Sequence, residues 1–144
     1  MFVKSKFPLN LVTKKGLTAT HLAAYYGRIE CLKLLLKAKA DSNKTSKEGL
    51  SPLYFALKNN NMVAVKLLVD YKSAIYYVEK HRRDISPFFF AIRKQNVEAI
   101  EYFCDRGVDM AVKNSEGLVP LTYAAIKGYD DIVNYLSLRT EDLD

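Results

Sequence analysis

The sequence predicts an all-α solenoid of four helix-turn-helix repeats, and two observations carry that prediction. The first is that the chain repeats itself. Ala19, Pro52, Pro87 and Pro120 occupy one position, at spacings of 33, 35 and 33 residues. Ala23, Ala56, Ala91 and Ala124 follow each of them by four, and Leu35, Leu68, Phe103 and Leu136 recur deeper in the unit. Gly16, Gly49 and Gly117 keep the same phase, while Asp84 takes that place in the third copy, after a two-residue insertion. The second observation is that each copy carries two short apolar stretches with helical spacing around a polar break. The clearest case is residues 49–69, broken at Lys58, Asn59, Asn60 and Asn61. Self-similarity at this period is the signature of a stacked repeat array.

Within each copy the elements follow in a fixed order. Thr18, Ser51 and Ser86 precede the first helix, where a hydroxyl can accept from free backbone N–H groups. Proline at the first helical position gives up no hydrogen bond and presets φ. The alanine four residues later allows close helix-to-helix approach. Gly27 and Gly128 end the first helix in a left-handed conformation. Asn60 accepts that conformation too, whereas Gln95 accepts it less well, which predicts a looser turn there. The second helix carries an apolar stripe, in the first copy Ile29, Leu32, Leu35 and Leu36. A polar excursion follows, such as residues 40–48. Helices this short are not stable alone. Stacked on their neighbours, they bury one continuous core.

Four stretches bear on a known family: Thr18-Ala19-Thr20-His21-Leu22-Ala23, Ser51-Pro52-Leu53-Tyr54-Phe55-Ala56, Ser86-Pro87-Phe88-Phe89-Phe90-Ala91 and Val119-Pro120-Leu121-Thr122-Tyr123-Ala124. Over residues 10–138 the chain resembles the ankyrin repeat family, whose period is about 33 residues and whose signature is T-P-L-H-x-A. No copy is perfect, and only the first keeps the histidine. The resemblance implies an ankyrin-repeat solenoid whose repeats are joined by hairpin-like loops.

On that scheme the chain is one domain, residues 1–144. Residues 1–15 form an N-terminal cap or half hairpin, because Asn10 to Gly16 are spaced as Asn43 to Gly49. Repeat 1 is 16–48, repeat 2 with its insertion 49–83, repeat 3 84–116, and repeat 4 with an acidic, frayed tail 117–144. Thr20, in a place held elsewhere by Leu53, Phe88 and Leu121, is expected to make the first face polar. Phe2, Val3 and Phe7 are expected to fold over it. Asp130 and Ser137 polarise the last copy. A free-standing array and a piece of a longer one are both compatible with these ends.

Composition narrows the function classes. At 49% hydrophobic residues the chain is not disordered. No apolar run approaches the roughly 20 residues of a membrane helix. The N-terminus lacks the apolar region of a secretory signal, so an intracellular setting is expected, cytoplasmic or nuclear. Cys31 and Cys104 lie inside apolar helical patterns, which predicts two buried, reduced thiols.

Enzymatic chemistry finds little support. There are two histidines. The family implies that His21 hydrogen-bonds backbone between repeats, and His81 reads as a solvated loop residue. Two His and two Cys at unrelated phases make no zinc site. The adjacent carboxylates of Asp130 and Asp131 point apart on a helix and favour its N-terminus electrostatically. No catalytic residue, metal site or cofactor is expected.

The family further implies that ligands meet the loop tips and the exposed end of each first helix. Carried over, those positions are Lys14, Lys15, Leu17, Tyr25 and Tyr26, then Lys47, Glu48, Leu50, Lys58 and Asn59. The third copy contributes Arg82, Arg83, Ile85, Arg93 and Lys94, and the last Ser115, Glu116, Leu118, Ile126 and Lys127. This set holds nine Lys or Arg against two Glu, and the rest of the chain 13 against 14 acids, so the net charge of +6 falls on these positions. The alternative is that the basic residues only solvate exposed tips. Tyr25 and Tyr26 are either aromatic anchors or packing under the neighbouring loop. The insertion at 79–83 should lengthen one basic finger.

The expected function is a non-catalytic, monomeric protein–protein interaction scaffold that takes an acidic or extended partner segment through a basic concave face. Two alternatives stay open: nucleic-acid or anionic-lipid binding through the same face, or a regulatory segment of a larger enzyme or channel. Fold alone chooses weakly among them.

Overall fold

A computed structural model of the chain describes residues 8–71 and 86–141. The expectations for Phe2, Val3, Phe7, the insertion at 79–83 with His81, Arg82 and Arg83, Asp84, Ile85 and the last three residues lie outside the described residues. Those described form eight helices and no strand: α1 (Ala19–Tyr26), α2 (Ile29–Lys37), α3 (Pro52–Lys58), α4 (Met62–Asp70), α5 (Pro87–Arg93), α6 (Val97–Asp105), α7 (Pro120–Lys127) and α8 (Asp130–Glu141). The chain divides into two compact units, Met1–Ser73 and Ala74–Asp144.

In unit 1, α1 packs against α2 and α3, and α4 against α2 and α3. Its core is Leu32, Leu36, Leu53, Leu57, Val65 and Leu68, with Ala24, Ala56 and Ala64 where the helices approach. The hydroxyl caps form as expected. Thr18 Oγ1 accepts from the His21 N–H at 3.3 Å and Ser51 Oγ from the Tyr54 N–H at 3.3 Å. Pro52 sits at the first helical position, as Pro87 and Pro120 do in unit 2.

The turn inside each repeat is built the same way four times. The N–H groups of Arg28, Asn61, Asn96 and Tyr129 donate to the carbonyls of Ala23, Ala56, Ala91 and Ala124 at 2.9, 2.9, 3.0 and 3.0 Å. Gly27, Asn60, Gln95 and Gly128 take positive φ angles of 66°, 55°, 55° and 74°. The expected looser turn at Gln95 is therefore not found. The backbone bonds fix the turn, and they outweigh the roughly 1–2 kcal/mol that one left-handed non-glycine residue costs. Asn59 and Asn61, three and five residues beyond Ala56, lock the first turn to the second. Asn59 Nδ2 donates to Tyr25 O at 2.7 Å, and Asn61 Nδ2 to Ala24 O and Tyr25 O at 3.1 and 3.0 Å. These bonds satisfy α1 carbonyls that a helix end leaves open.

Thr20 departs from expectation. It is fully buried, and its Oγ1 has no hydrogen-bond partner among the described residues. It is thus a covered position with an unsatisfied hydroxyl, and not a polar outer face. Thr20→Val, which swaps that hydroxyl for a methyl of similar size, is expected to stabilise unit 1 by about 1 kcal/mol. A rise of a few degrees in the thermal midpoint would register it, and a fall would show that the hydroxyl has a partner.

In unit 2, α5 packs on α6 and α7, and α7 on α8. Phe88, Ile92, Ile100, Phe103 and Leu136 are fully buried, and the Phe88 and Phe103 rings lie 6.3 Å apart. Ser86 Oγ accepts from the Phe89 N–H at 3.5 Å. At the outer helix, Arg139 donates to Asp105 Oδ1 at 3.0 Å, and Ser137 Oγ to Val133 O at 2.7 Å. Asp130 and Asp131 occupy the exposed first turn of α8.

The cysteines do not match the expected buried pair. Cys104 is buried, and desolvation pushes its thiol up to about 11. Cys31 is exposed. The inward positions of α2 go to Leu32 and Leu36, and Cys31 falls beside that stripe.

Candidate functional site

The loop tips are shaped by one device. The N–H groups of Thr13, Ser46 and Asn114 donate to the carbonyls of Leu17, Leu50 and Leu118 at 2.9, 2.9 and 3.0 Å. Their side-chain oxygens accept in return from the N–H groups of the same three leucines, at 3.2, 3.2 and 2.9 Å. Each tight loop so formed holds its tip residues outward: Lys14 and Lys15, Lys47 and Glu48, Ser115 and Glu116.

In unit 1 the first two tips are joined. The Lys47 N–H donates to Lys15 O at 3.0 Å. Gly16 permits this approach. Its φ is +78°, and a Cβ there would meet Lys47 N at 2.8 Å, closer than real Cβ atoms come. The consequence is a cleft of about 470 Å³ walled by Lys14, Lys15, Lys47, Glu48 and Lys58, with Leu17, Leu50 and Phe55 beneath. Four lysines face one glutamate across it.

A second pocket of about 240 Å³ adjoins this cleft and shares Leu17, Phe55 and Lys58 with it. Its walls are Leu22, Tyr25, Tyr26 and His21. Phe55 is the hub of an aromatic cluster. Its ring meets those of His21, Tyr54 and Tyr25 edge to face at 5.7, 5.7 and 6.0 Å, and Tyr25 in turn meets Tyr26 at 5.0 Å. Tyr25 is half-buried in the cluster, while Tyr26 is 61% exposed. The packing role thus falls to Tyr25, and Tyr26 presents an open ring.

His21 holds the floor. Its Nδ1 accepts from the Thr18 N–H at 3.0 Å and its Nε2–H donates to Leu50 O at 2.9 Å, across to the next repeat. With both nitrogens committed, the neutral ring is a structural tie. Burial lowers its pKa, outweighing the Leu50 carbonyl and Asp41, which raise it.

In unit 2 Arg93 and Lys127 line a cleft of about 200 Å³ with Ser115, Glu116, Tyr123 and Ile126. Arg93 lies over the Phe90 ring at 5.2 Å, Lys94 over the same ring at 5.8 Å, and Lys127 over Tyr123 at 5.7 Å. The predicted residues therefore form two groups. Lys14, Lys15, Lys47, Lys58, Tyr25 and Tyr26 gather in unit 1, and in unit 2 Arg93 and Lys127 end α5 and α7, with Lys94 just past the end of α5. Arg82 and Arg83 lie outside the described residues. The sequence reasoning missed Phe55, Leu22 and Tyr123, although all three share one repeat position. Among the described residues no cluster of three or more His, Cys, Asp or Glu could hold a metal ion, and no helix is long and apolar enough to cross a membrane.

Short helix pairs stacked in register, with loop tips gathered over clefts, define a helical-repeat scaffold. The chain belongs to the ankyrin repeat family: the model for ankyrin repeats in three copies matches residues 2–80 and 74–144. Such repeats are generally protein–protein interaction modules. Ankyrin repeat protein FPV223 of fowlpox virus (strain NVSL) is 30% identical over 124 residues, 86% of this chain and 85% of that protein. Ankyrin repeat protein FPV022 of the same virus is 26% identical over 76 residues, 53% of this chain but 13% of that protein. Protein phosphatase 1 regulatory subunit 27 of Mus musculus is 39% identical over 51 residues, 35% of this chain and 33% of that protein.

Proposed function

We propose that the chain is a non-catalytic interaction scaffold that binds an acidic, extended segment of a partner protein through the basic cleft of unit 1. The observation that carries this is the convergence of Lys14, Lys15, Lys47 and Lys58 on one cleft, pinned by the bond between the tips. Lysines that merely solvate tips need no such fixed juxtaposition. The similarity to a phosphatase regulatory subunit supports a role exerted on another protein. The proposed setting is intracellular, where the exposed thiol of Cys31 stays reduced.

The test is affinity capture from nuclease-treated lysate, with a Lys14→Glu/Lys15→Glu/Lys47→Glu protein as control. A partner held by the native chain is expected to bind the control at least tenfold more weakly, since rim charges contribute about 0.2–1 kcal/mol each and reversal adds repulsion. Its binding is also expected to weaken as salt rises. Equal capture by both proteins would refute the basic cleft as the binding site. Bound material that nuclease removes would indicate the alternative, nucleic-acid binding.

A further inference from the structure

We infer that the segment recognised by unit 1 is bipartite: one aliphatic or aromatic side chain seats against Leu22, Tyr25, Tyr26 and Phe55, and carboxylates beside it lie along Lys14, Lys15 and Lys47. This rests on the proposed interaction function and specifies its ligand. Three features of the site support it. The two cavities differ in chemistry, one walled by rings and leucines, the other by lysines, yet they share Leu17, Phe55 and Lys58. A single extended chain therefore crosses from one to the other within a few residues. The apolar pocket, at about 240 Å³, falls below the roughly 300–1,000 Å³ of small-molecule sites and suits one side chain.

The ring arrangement argues for a side chain over a nucleic-acid base. Tyr25 and Tyr26 meet at 88°, and Tyr25 and Phe55 at 78°. These neighbouring rings are crossed, so together they offer no parallel slot for a flat base, whereas edges and faces mixed in this way enclose an alkyl or phenyl group well. Charge complementarity assigns the rest of the segment. Carboxylates are the groups that a wall of lysines draws in, and the pocket supplies the apolar burial that charge pairing at an exposed rim lacks. Filling such a pocket is worth about tenfold to a hundredfold in affinity.

A phage-displayed library of random peptides, selected on the full-length chain, tests this. The expected pool carries one Leu, Ile, Met or Phe within a few positions of two or more Asp or Glu. A peptide resynthesised from that pool should lose at least tenfold in affinity when its apolar residue becomes Ala. It should lose a comparable factor against Phe55→Ala and against Tyr26→Ala. Tyr26 is largely exposed, so the second variant keeps the fold even where the first is weakened. Selection of acidic peptides with no preferred apolar position would overturn the bipartite ligand and leave the scaffold function standing. Apolar peptides without acids, or no enrichment at all, would overturn both.

Discussion

Replacing His21 by alanine is expected to lower the stability of unit 1 by about 3–5 kcal/mol, a large share of what a domain of this size has. The variant removes a fully buried ring. It also leaves the buried Thr18 N–H without its acceptor, which costs about 1–3 kcal/mol, and takes from Leu50 O one of the two bonds it accepts, the Ser46 N–H bond remaining. The effect should depend on pH, with a defined sign. Burial depresses the pKa of His21 in the folded chain, so the unfolded chain takes up its proton first. The contribution of His21 is fully present above the unfolded value of about 6.5 and is lost as pH falls below it toward the folded value. Backbone hydrogen bonding from Leu50 and Lys44 and the charge of Asp41 soften the trend, and the Lys44 charge sharpens it slightly. Urea unfolding of both proteins at pH 7.5 and at mildly acid pH, about one unit below 6.5, should show the gap between them narrowing in acid. A gap that is constant, or that widens, would mean that the ring is charged in the folded state.

Truncating Phe103 to alanine should cost unit 2 about 3–5 kcal/mol. The ring is fully buried, faces Phe88 at 6.3 Å and lies on the inward face of α6 beside Ala99 and Ile100. Removing it opens a cavity that two short helices can only partly close. Phe103→Leu, which fills most of the space, should cost under half as much. Denaturant midpoints of the three proteins measure this. A loss below about 1 kcal/mol for the alanine variant would show that the site collapses freely or was never closed.

The repeat itself was legible because its determinants are local. Prolines, hydroxyl caps, alanines and glycines act within a few residues, and the period brings the same demand back each time. Capping by Thr18, Ser51 and Ser86 and the left-handed turns at Gly27 and Gly128 follow from such demands. What stayed hidden depends on distance across the fold. The burial of Thr20 and the exposure of Cys31 are set by which side of a short helix a neighbour covers, and the sequence of that helix does not say. The Asn61 clamp on Ala24 and Tyr25 spans 37 and 36 residues, and although Asn96 recurs at the same repeat position, an asparagine there does not by itself name its partners. At the candidate site, charge identified the lysines, but the aromatic floor under them escaped notice. In the sequence Phe55 is one letter of a motif, and its contacts with His21 and Tyr25 exist only after α1 and α3 pack.

The unlike environments of the two thiols make the chain its own reporter. A thiol-specific reagent at neutral pH should modify Cys31 at once, because that sulfur is open to solvent. Cys104 is shielded and holds its proton up to about 11, so it is doubly protected from attack, which needs the thiolate. Modification of the second thiol therefore runs only as fast as unit 2 opens. With Cys31 blocked beforehand, mass spectrometry of the native chain over time becomes a clock for unit 2 alone, read without denaturant and without an added label.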